Sequence, residues 1–330
     1  MERLFTILVL VLAQGESQKT DFCNKKLCKD GLKHLACGNQ DWNWDECGDD
    51  PYLVAITGST KKLILKEHNA YRSLVGSGKL HGLPPAGYML ALKWNPELAF
   101  IAEVLVKRCS LEDVNKCLAT DKYSHPGYNS AYNIFTGEQD EVKIIRAQIR
   151  AWYYQYRYTT IDSLGTGRGQ KGKEIGHFLQ LIFGYNDAVG CAIARYTQEG
   201  KIVQLMYCVY GCSRYKCQLT YEAAKRAGKN CLWGVHKDYN FLCSSTDEVE
   251  GCGYKKRCKG AKSSDEIDIA EIEEIRAGLD KCELFPRPAT KRPKNKPTRR
   301  PRKKLTCIID ILGICDDALI SVGDILGSMF

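Results

Sequence analysis

The stretch Glu174–Cys208, EIGHFLQLIFGYNDAVGCAIARYTQEGKIVQLMYC, narrows the choice of fold more than any other part of the chain. Two short runs rich in Val, Ile and Tyr, Val189–Tyr196 and Ile202–Val209, flank the turn-forming Thr197-Gln198-Glu199-Gly200 and read as a β-hairpin. Cys191 and Cys208 lie near the far ends of its strands, where cross-strand sulfurs can come within bonding reach. The preceding Glu174–Phe183 sets His177 beside a mostly apolar run, either a buried helix or a buried segment. A hairpin this apolar needs helices on its faces.

The chain upstream supplies them. From Lys62, Ile64, His68, Tyr71 and Val75 recur at three- and four-residue steps, closed by Gly76 and Gly78. A second helix follows Asn95-Pro96, an N-cap with proline in the first turn, with Leu98, Ile101, Ala102, Leu105 and Cys109 as its apolar stripe. A third, from about Asp140 to Tyr158, carries Val142, Ile145, Ile149, Trp152 and Tyr156 on one face. Pro51–Ser59 reads as a connector, Leu80–Tyr88 and Ser110–Phe135 as loops, and Thr159–Lys173 as a flexible lead into His177. The expected class is α/β, a three-layer α/β/α sandwich with cysteine-rich segments on either side.

Seventeen cysteines indicate an oxidising compartment, and their odd number leaves at least one free or paired between chains. Zinc is the weaker explanation, because no Cys-x-x-Cys occurs and the six histidines are scattered. Leu4–Ala13 is almost wholly apolar and leads into Ala13-Gln14-Gly15. It reads as a secretory signal ending near Gly15, with a short buried helix as the alternative. No uncharged run reaches membrane-spanning length, and no Asn-x-Ser/Thr sequon is present. The net charge of +9 comes from one place: Arg287–Lys304 holds ten basic residues and no acid, which leaves the remainder at 9 − 10 = −1. That Pro-rich segment, with Lys291, Arg292, Arg299, Arg300, Arg302, Lys303 and Lys304, cannot form a core. It suits an anionic glycan or membrane surface, or serves as a solvated spacer. No aromatics interleave it, so specific nucleic-acid reading is not expected. Arg299-Arg300-Pro301-Arg302 also fits a processing-protease site.

Gly176-His177-Phe178-Leu179-Gln180 resembles a signature of the CAP superfamily (cysteine-rich secretory proteins, antigen 5, pathogenesis-related 1). Val189-Gly190-Cys191 and Tyr207-Cys208-Val209-Tyr210-Gly211 resemble the paired strands that follow that signature, and Leu65-Lys66-Glu67-His68-Asn69-Ala70-Tyr71-Arg72 and Leu92–Ala99 are similar to the first and second helices of insect antigen 5 proteins. The opening Asp21–Asn39 resembles the antigen 5 N-terminus, Cys231…Tyr239-Asn240-Phe241-Leu242-Cys243 looks like fly-type members, and the likeness spans roughly Asp21–Ser245. The resemblance implies disulfides Cys23–Cys37, Cys28–Cys117, Cys47–Cys109, Cys191–Cys208 and Cys231–Cys243. Composition and the resemblance together give an expected division into a signal peptide (1–15), a stapled N-terminal arm (16–60), the CAP domain (61–211), a Cys-rich extension (212–258), an acidic segment (259–286), the basic linker (287–304) and an apolar tail (305–330), the resemblance covering none of Arg257–Phe330.

Many superfamily members hold a divalent metal between two histidines and two acids in a central cleft. Matched position by position, this chain offers His177, Gln155, Tyr132 and Asp113, a degenerate set for metal or for general acid–base work. The simplest expectation for His177 is a buried histidine bonded to Tyr132 or Gln155. No Gly-x-Ser-x-Gly or His-Glu-x-x-His motif suggests a hydrolase elsewhere. The chain is therefore expected to be secreted and non-enzymatic, to need no cofactor, and to act through an extracellular protein or glycan partner. The alternative is a carrier of a small lipid or sterol, with Trp152, Tyr153 and Tyr156 lining a groove and Pro84–Leu92 its opening.

Overall fold

The computed structural model describes residues 20–80, 82–111, 117–214 and 218–244. All of these belong to the first of two units, Met1–Leu279; the second, Asp280–Phe330, contains no described residue. The expected signal peptide, acidic segment, basic linker and apolar tail therefore lie outside the described residues.

The hairpin is β5 (Ala188–Gln198) and β6 (Lys201–Tyr210), with Cys191 directly opposite Cys208. Only Glu199 and Gly200 form its loop, both at positive φ (51° and 71°), as a two-residue turn that matches strand twist requires. Two further strands, β1 (Asp49–Leu53) and β4 (Gly127–Phe135), flank it, giving the order β1-β5-β6-β4, all antiparallel. The two-residue β3 (Lys93–Trp94) adds parallel to the start of β5. Neither outer strand is expected from sequence. β1 (Asp49–Leu53) occupies the start of the expected connector, and Pro51 is tolerated because β1 is an edge. β4 (Gly127–Phe135) lies in the expected Ser110–Phe135 loop, yet it pairs with β6 at every residue from Gly127↔Tyr210 to Phe135↔Ile202.

Helix α2 (Pro96–Val106) packs on one face of this sheet, against β5 and β6. On the other lie α3 (Glu141–Tyr154), which packs against both α1 (Gly58–Gly76) and β4, and the short α5 (Gly176–Leu181), which follows the six-residue α4 (Ile161–Thr166) in the chain. Each long helix starts at a side-chain cap: Thr57 Oγ1 accepts from Thr60 N–H, Asn95 Oδ1 from Leu98 N–H, and Asp140 Oδ1 from Val142 and Lys143 N–H. α3 ends at Tyr154, and 155–158 tighten into a 3₁₀ turn. The buried face of α3 is Ile144, Ile145, Gln148, Ile149, Trp152 and Tyr153, whereas Val142 is exposed. α2 stops short of Cys109, which turns back at φ 52° to bond Cys47.

Gly190 sits under the first turn of α2. A β-carbon there would lie 2.5 Å from Asn95 O, 2.6 Å from Leu98 C and closer still to Ala99 N, all backbone atoms without freedom to yield. Gly190→Ala is therefore expected to cost about 2 kcal/mol in urea unfolding under non-reducing conditions, because α2 must lift off the sheet.

The N-terminal arm lends residues to the core rather than forming one. Phe22, Leu35 and Ala36 join the apolar cluster of α2, and the Phe22 ring lies 5.4 Å from Phe100 and 4.7 Å from His34. Disulfides Cys23–Cys37, Cys28–Cys117 and Cys47–Cys109 fasten it. Beyond the sheet the chain returns along 84–92. The N–H groups of Ala224, Gly228 and Asn230 donate to Pro85, Ala86 and Gly87, and Cys243 exchanges bonds with Met89 and Ala91. The expected Leu80–Tyr88 loop therefore ends in β2 (Ala86–Tyr88), paired with β7 (Glu222–Ala223).

Candidate functional site

Helix α1 aims four polar and aromatic groups inward. Asn69 clamps Leu92 from both sides, its Nδ2 donating to the carbonyl (3.0 Å) and its Oδ1 accepting from the amide (2.8 Å). Tyr71 stacks on Tyr153 at 4.3 Å. Arg72 is fully buried and bonds main-chain carbonyls.

His68, also fully buried, starts a hydrogen-bonded chain across the sheet face. Its Nδ1 is 2.8 Å from Ile64 O and so carries the proton, which leaves Nε2 to accept from Tyr210 Oη at 3.0 Å. Asn129 Nδ2 donates to Tyr210 Oη (3.3 Å) and to His177 O (2.9 Å). Asn129 Oδ1 is 3.2 Å from His177 Nδ1, which fixes that proton as well. The Trp152 ring lies between the two imidazoles, 6.1 Å from His68 and 6.4 Å from His177, and donates its own N–H to Ser130 O. Desolvation drives the His68 pKa down to about 4 and lowers that of His177; it raises that of Tyr210. Both histidines are thus neutral at pH 7. The chain leaves one open lone pair, Nε2 of the half-buried His177.

The expected partners of His177 are placed differently. Gln155 spends its Oε1 on Phe178 N–H (3.0 Å), serving as the N-terminal cap of α5, which has no cap from its own N-cap residue. Tyr132 is opposite Leu205 in an unbroken register and packs with the α2 cluster, so it sits on the far face of the sheet from Asn129. The residue that holds His177 is Asn129, three positions earlier, at a parity that faces α5. Asp113 lies outside the described residues. Among the described residues, no three His, Cys, Asp or Glu converge as a metal ion would require. One imidazole nitrogen beside a committed amide does not fit such an ion.

The aromatic set expected to line a groove is largely interior. Trp152 and Tyr153 are buried, and Tyr153 packs against Tyr71, Tyr156 and Phe178. Of the three, only Tyr156 is half-buried. Met89–Leu92 is buried against α1 and the extension, not at a rim. Lys291, Arg292, Arg299, Arg300, Arg302, Lys303 and Lys304 lie outside the described residues.

Residues 65–210 match the family described as CAP: Cysteine-rich secretory protein family. An antigen 5 like allergen, Cul n 1, from Culicoides nubeculosus is 38% identical over 206 residues, covering 60% of this chain and 93% of that protein. Venom allergen-1 of Aedes aegypti is 29% identical, covering 71% of this chain and 91% of its own length. Tabinhibitin 3 of Tabanus yao is 26% identical, covering 76% and 97%. With the cysteine framework and the α/β/α layers already in place, the chain belongs to the CAP family and is an antigen 5-like member of it.

Proposed function

We propose that this chain is a secreted, non-enzymatic binding module that acts through its surfaces on an extracellular protein or glycan. One observation carries the proposal: the polar groups beneath the cleft are already bonded to one another. Gln155 caps α5, Asn129 holds His177 and Tyr210, and Tyr210 holds His68. A neutral imidazole with no acid beside it among the described residues is a poor centre for gathering a metal ion or for passing a proton to a second group.

Two measurements test it. Calorimetric titration of zinc into the purified protein at pH 7 should show no one-to-one site, and His177→Ala should leave the titration unchanged. Zinc-dependent hydrolysis of a peptide or ester that His177→Ala abolishes would overturn the proposal. For the partner, retention on heparin should be lost when Arg287–Lys304 is deleted. Mass spectrometry of a solvent extract should find no stoichiometric lipid; a stoichiometric one would favour the carrier alternative.

A further inference from the structure

We propose that the C-terminal end of α3 holds a site for a sulfate ester group of an extracellular glycan. Its donors are the hydroxyls of Tyr71, Tyr153, Tyr154 and Tyr156 and the guanidinia of Arg150 and Arg157. The inference rests on the reading of the chain as a binder of extracellular glycans and names where a single sulfate is recognised.

The two arginines are posed but uncommitted. Arg150 and Tyr154 lie one turn apart on α3, and Arg157 follows in the 3₁₀ turn. The guanidinium carbon of Arg157 is 4.6 Å from the centre of the Tyr154 ring, and that of Arg150 is 5.9 Å from it. Stacking of this kind uses the face of a guanidinium and leaves the N–H groups on its edge to donate. Among the described residues, neither arginine is in an ion pair.

The phenols supply the second observation. Tyr71 and Tyr153 are 2% and 3% exposed and stack on each other at 4.3 Å. Among the described residues neither hydroxyl has a hydrogen-bond partner, yet neither oxygen is sealed from solvent. Two buried rings thus open their polar tips to the outside. Burial raises both pKa values, so each hydroxyl keeps its proton and donates at pH 7. Tyr154 and Tyr153 act electrostatically on Tyr71, and Tyr156 and Tyr154 on Tyr153, which places the four oxygens in one cluster; Arg150 faces Tyr71 as well. Rings and guanidinia already packed in place lose little conformational entropy on binding.

The nearby acids leave a positive balance. Glu67 also faces Tyr71, but its Oε1 is 3.1 Å from Arg146 Nε, so that pair offsets itself. Neither Glu174 nor Asp238 is among the charges acting on Tyr71 or Tyr153, and Asp162 already has a partner. Glu138, Asp140 and Glu141 stand at the other end of α3, about 13 Å or more along its axis from Arg150. Arg150 and Arg157 remain in excess. A site of donors and positive charge selects an acceptor-only oxyanion, whose oxygens match the guanidinium fork. Its surroundings favour a glycan as the source. The Tyr71–Tyr153 stack closes the space between α1 and α3 at its level, which leaves no slot for an acyl chain. Of the large exposed apolar residues only Tyr158 lies at this end of α3, with Val142 at the other, so a lipid surface would find no aliphatic anchor. Aromatic bodies with polar tips suit a sugar ring, apolar on its face and polar at its edge.

The test titrates the full chain, by calorimetry, with a trisulfated heparin disaccharide and with its desulfated counterpart. The sulfated sugar should bind, and the desulfated one about tenfold more weakly or not at all. Arg150→Gln with Arg157→Gln should weaken binding about tenfold. Tyr71→Phe with Tyr153→Phe keeps the stacked rings and removes only the hydroxyls. It should weaken binding about fivefold with thermal unfolding unchanged. Deleting Arg287–Lys304 should leave disaccharide affinity intact, even where retention on long heparin chains is lost. Disaccharide binding that ignores either double substitution, or that does not need the sulfates, overturns the proposal. So does binding of palmitate or of phosphatidylserine vesicles through these residues with none of the disaccharide. Heparin retention through Arg287–Lys304 with no disaccharide bound would overturn this site and leave the broader glycan reading standing.

Discussion

Arg72→Met is expected to destabilise the protein by about 4 kcal/mol and to lower its melting temperature by about 10 °C, a larger loss than Gly190→Ala should give. The guanidinium has five N–H hydrogens, and the structure provides five acceptor contacts. Nε and Nη2 both reach Leu90 O (3.1 and 2.6 Å), Nη1 reaches Leu181 O and Phe183 O (2.9 and 3.0 Å), and Nη2 also reaches Asn186 O (3.2 Å). All these acceptors are main chain, so the side chain ties α1 to the 84–92 segment and to the end of α5. Burial draws its pKa down to about 9, which still leaves it cationic at neutral pH. Methionine fills much of the volume but withdraws the guanidinium donors from four buried carbonyls. Of the four, Phe183 O still accepts from Asn186 N–H. Buried ion pairs can sometimes be replaced by apolar residues without loss; carbonyls cannot be exchanged in the same way. Arg72→Lys should recover little, since one ammonium has three hydrogens and no planar fork. Urea unfolding of the two variants against wild type measures both losses, and a cost under about 1 kcal/mol for Arg72→Met would refute the account.

That importance is only partly readable from the sequence. The motif Glu67–Arg72 is visible there, but periodicity marks a helical face without saying what the polar residues on it bond. The central hairpin, the three long helices and the cap at Asn95 are legible because each leaves a local signal: alternation, a 3.6-residue stripe, or a cap beside proline. Strand β4 is harder to see, because its apolar side chains divide between the two faces, Tyr128, Tyr132 and Ile134 on one and Ala131 and Phe135 on the other, while Asn129 and Asn133 interrupt the run. The same gap hides the site. Without β4 as a strand, nothing distinguishes Asn129 from Tyr132, and strand parity is what turns Asn129 to His177 and Tyr132 to α2. Gln155 stands out by its place after Trp152, but its use as a helix cap depends on where α5 begins in space.

Between pH 6.5 and about 4 the protein is expected to lose about 3 kcal/mol of stability through His68 alone. The folded-state pKa near 4 lies below the ordinary histidine value of 6.5, a gap of about 2.5 units at 1.36 kcal/mol each. In this window the unfolded chain binds a proton that the folded chain refuses, so stability is fully present above pH 6.5 and falls as pH drops toward 4. His34 and His177 are lowered too and act in the same direction. The cause is geometric. A proton on His68 Nε2 turns that atom into a donor toward Tyr210 Oη, which already accepts from Asn129 Nδ2. The phenolic hydrogen then loses its acceptor, and the strain passes through Asn129 to His177. His68→Gln should be less stable at pH 7, because the amide cannot span both Ile64 O and Tyr210 Oη, but its urea stability should vary much less between pH 6.5 and 4.5. If the wild-type slope survives His68→Gln undiminished, the acid sensitivity originates elsewhere, and the Tyr210–Asn129 chain does not govern it.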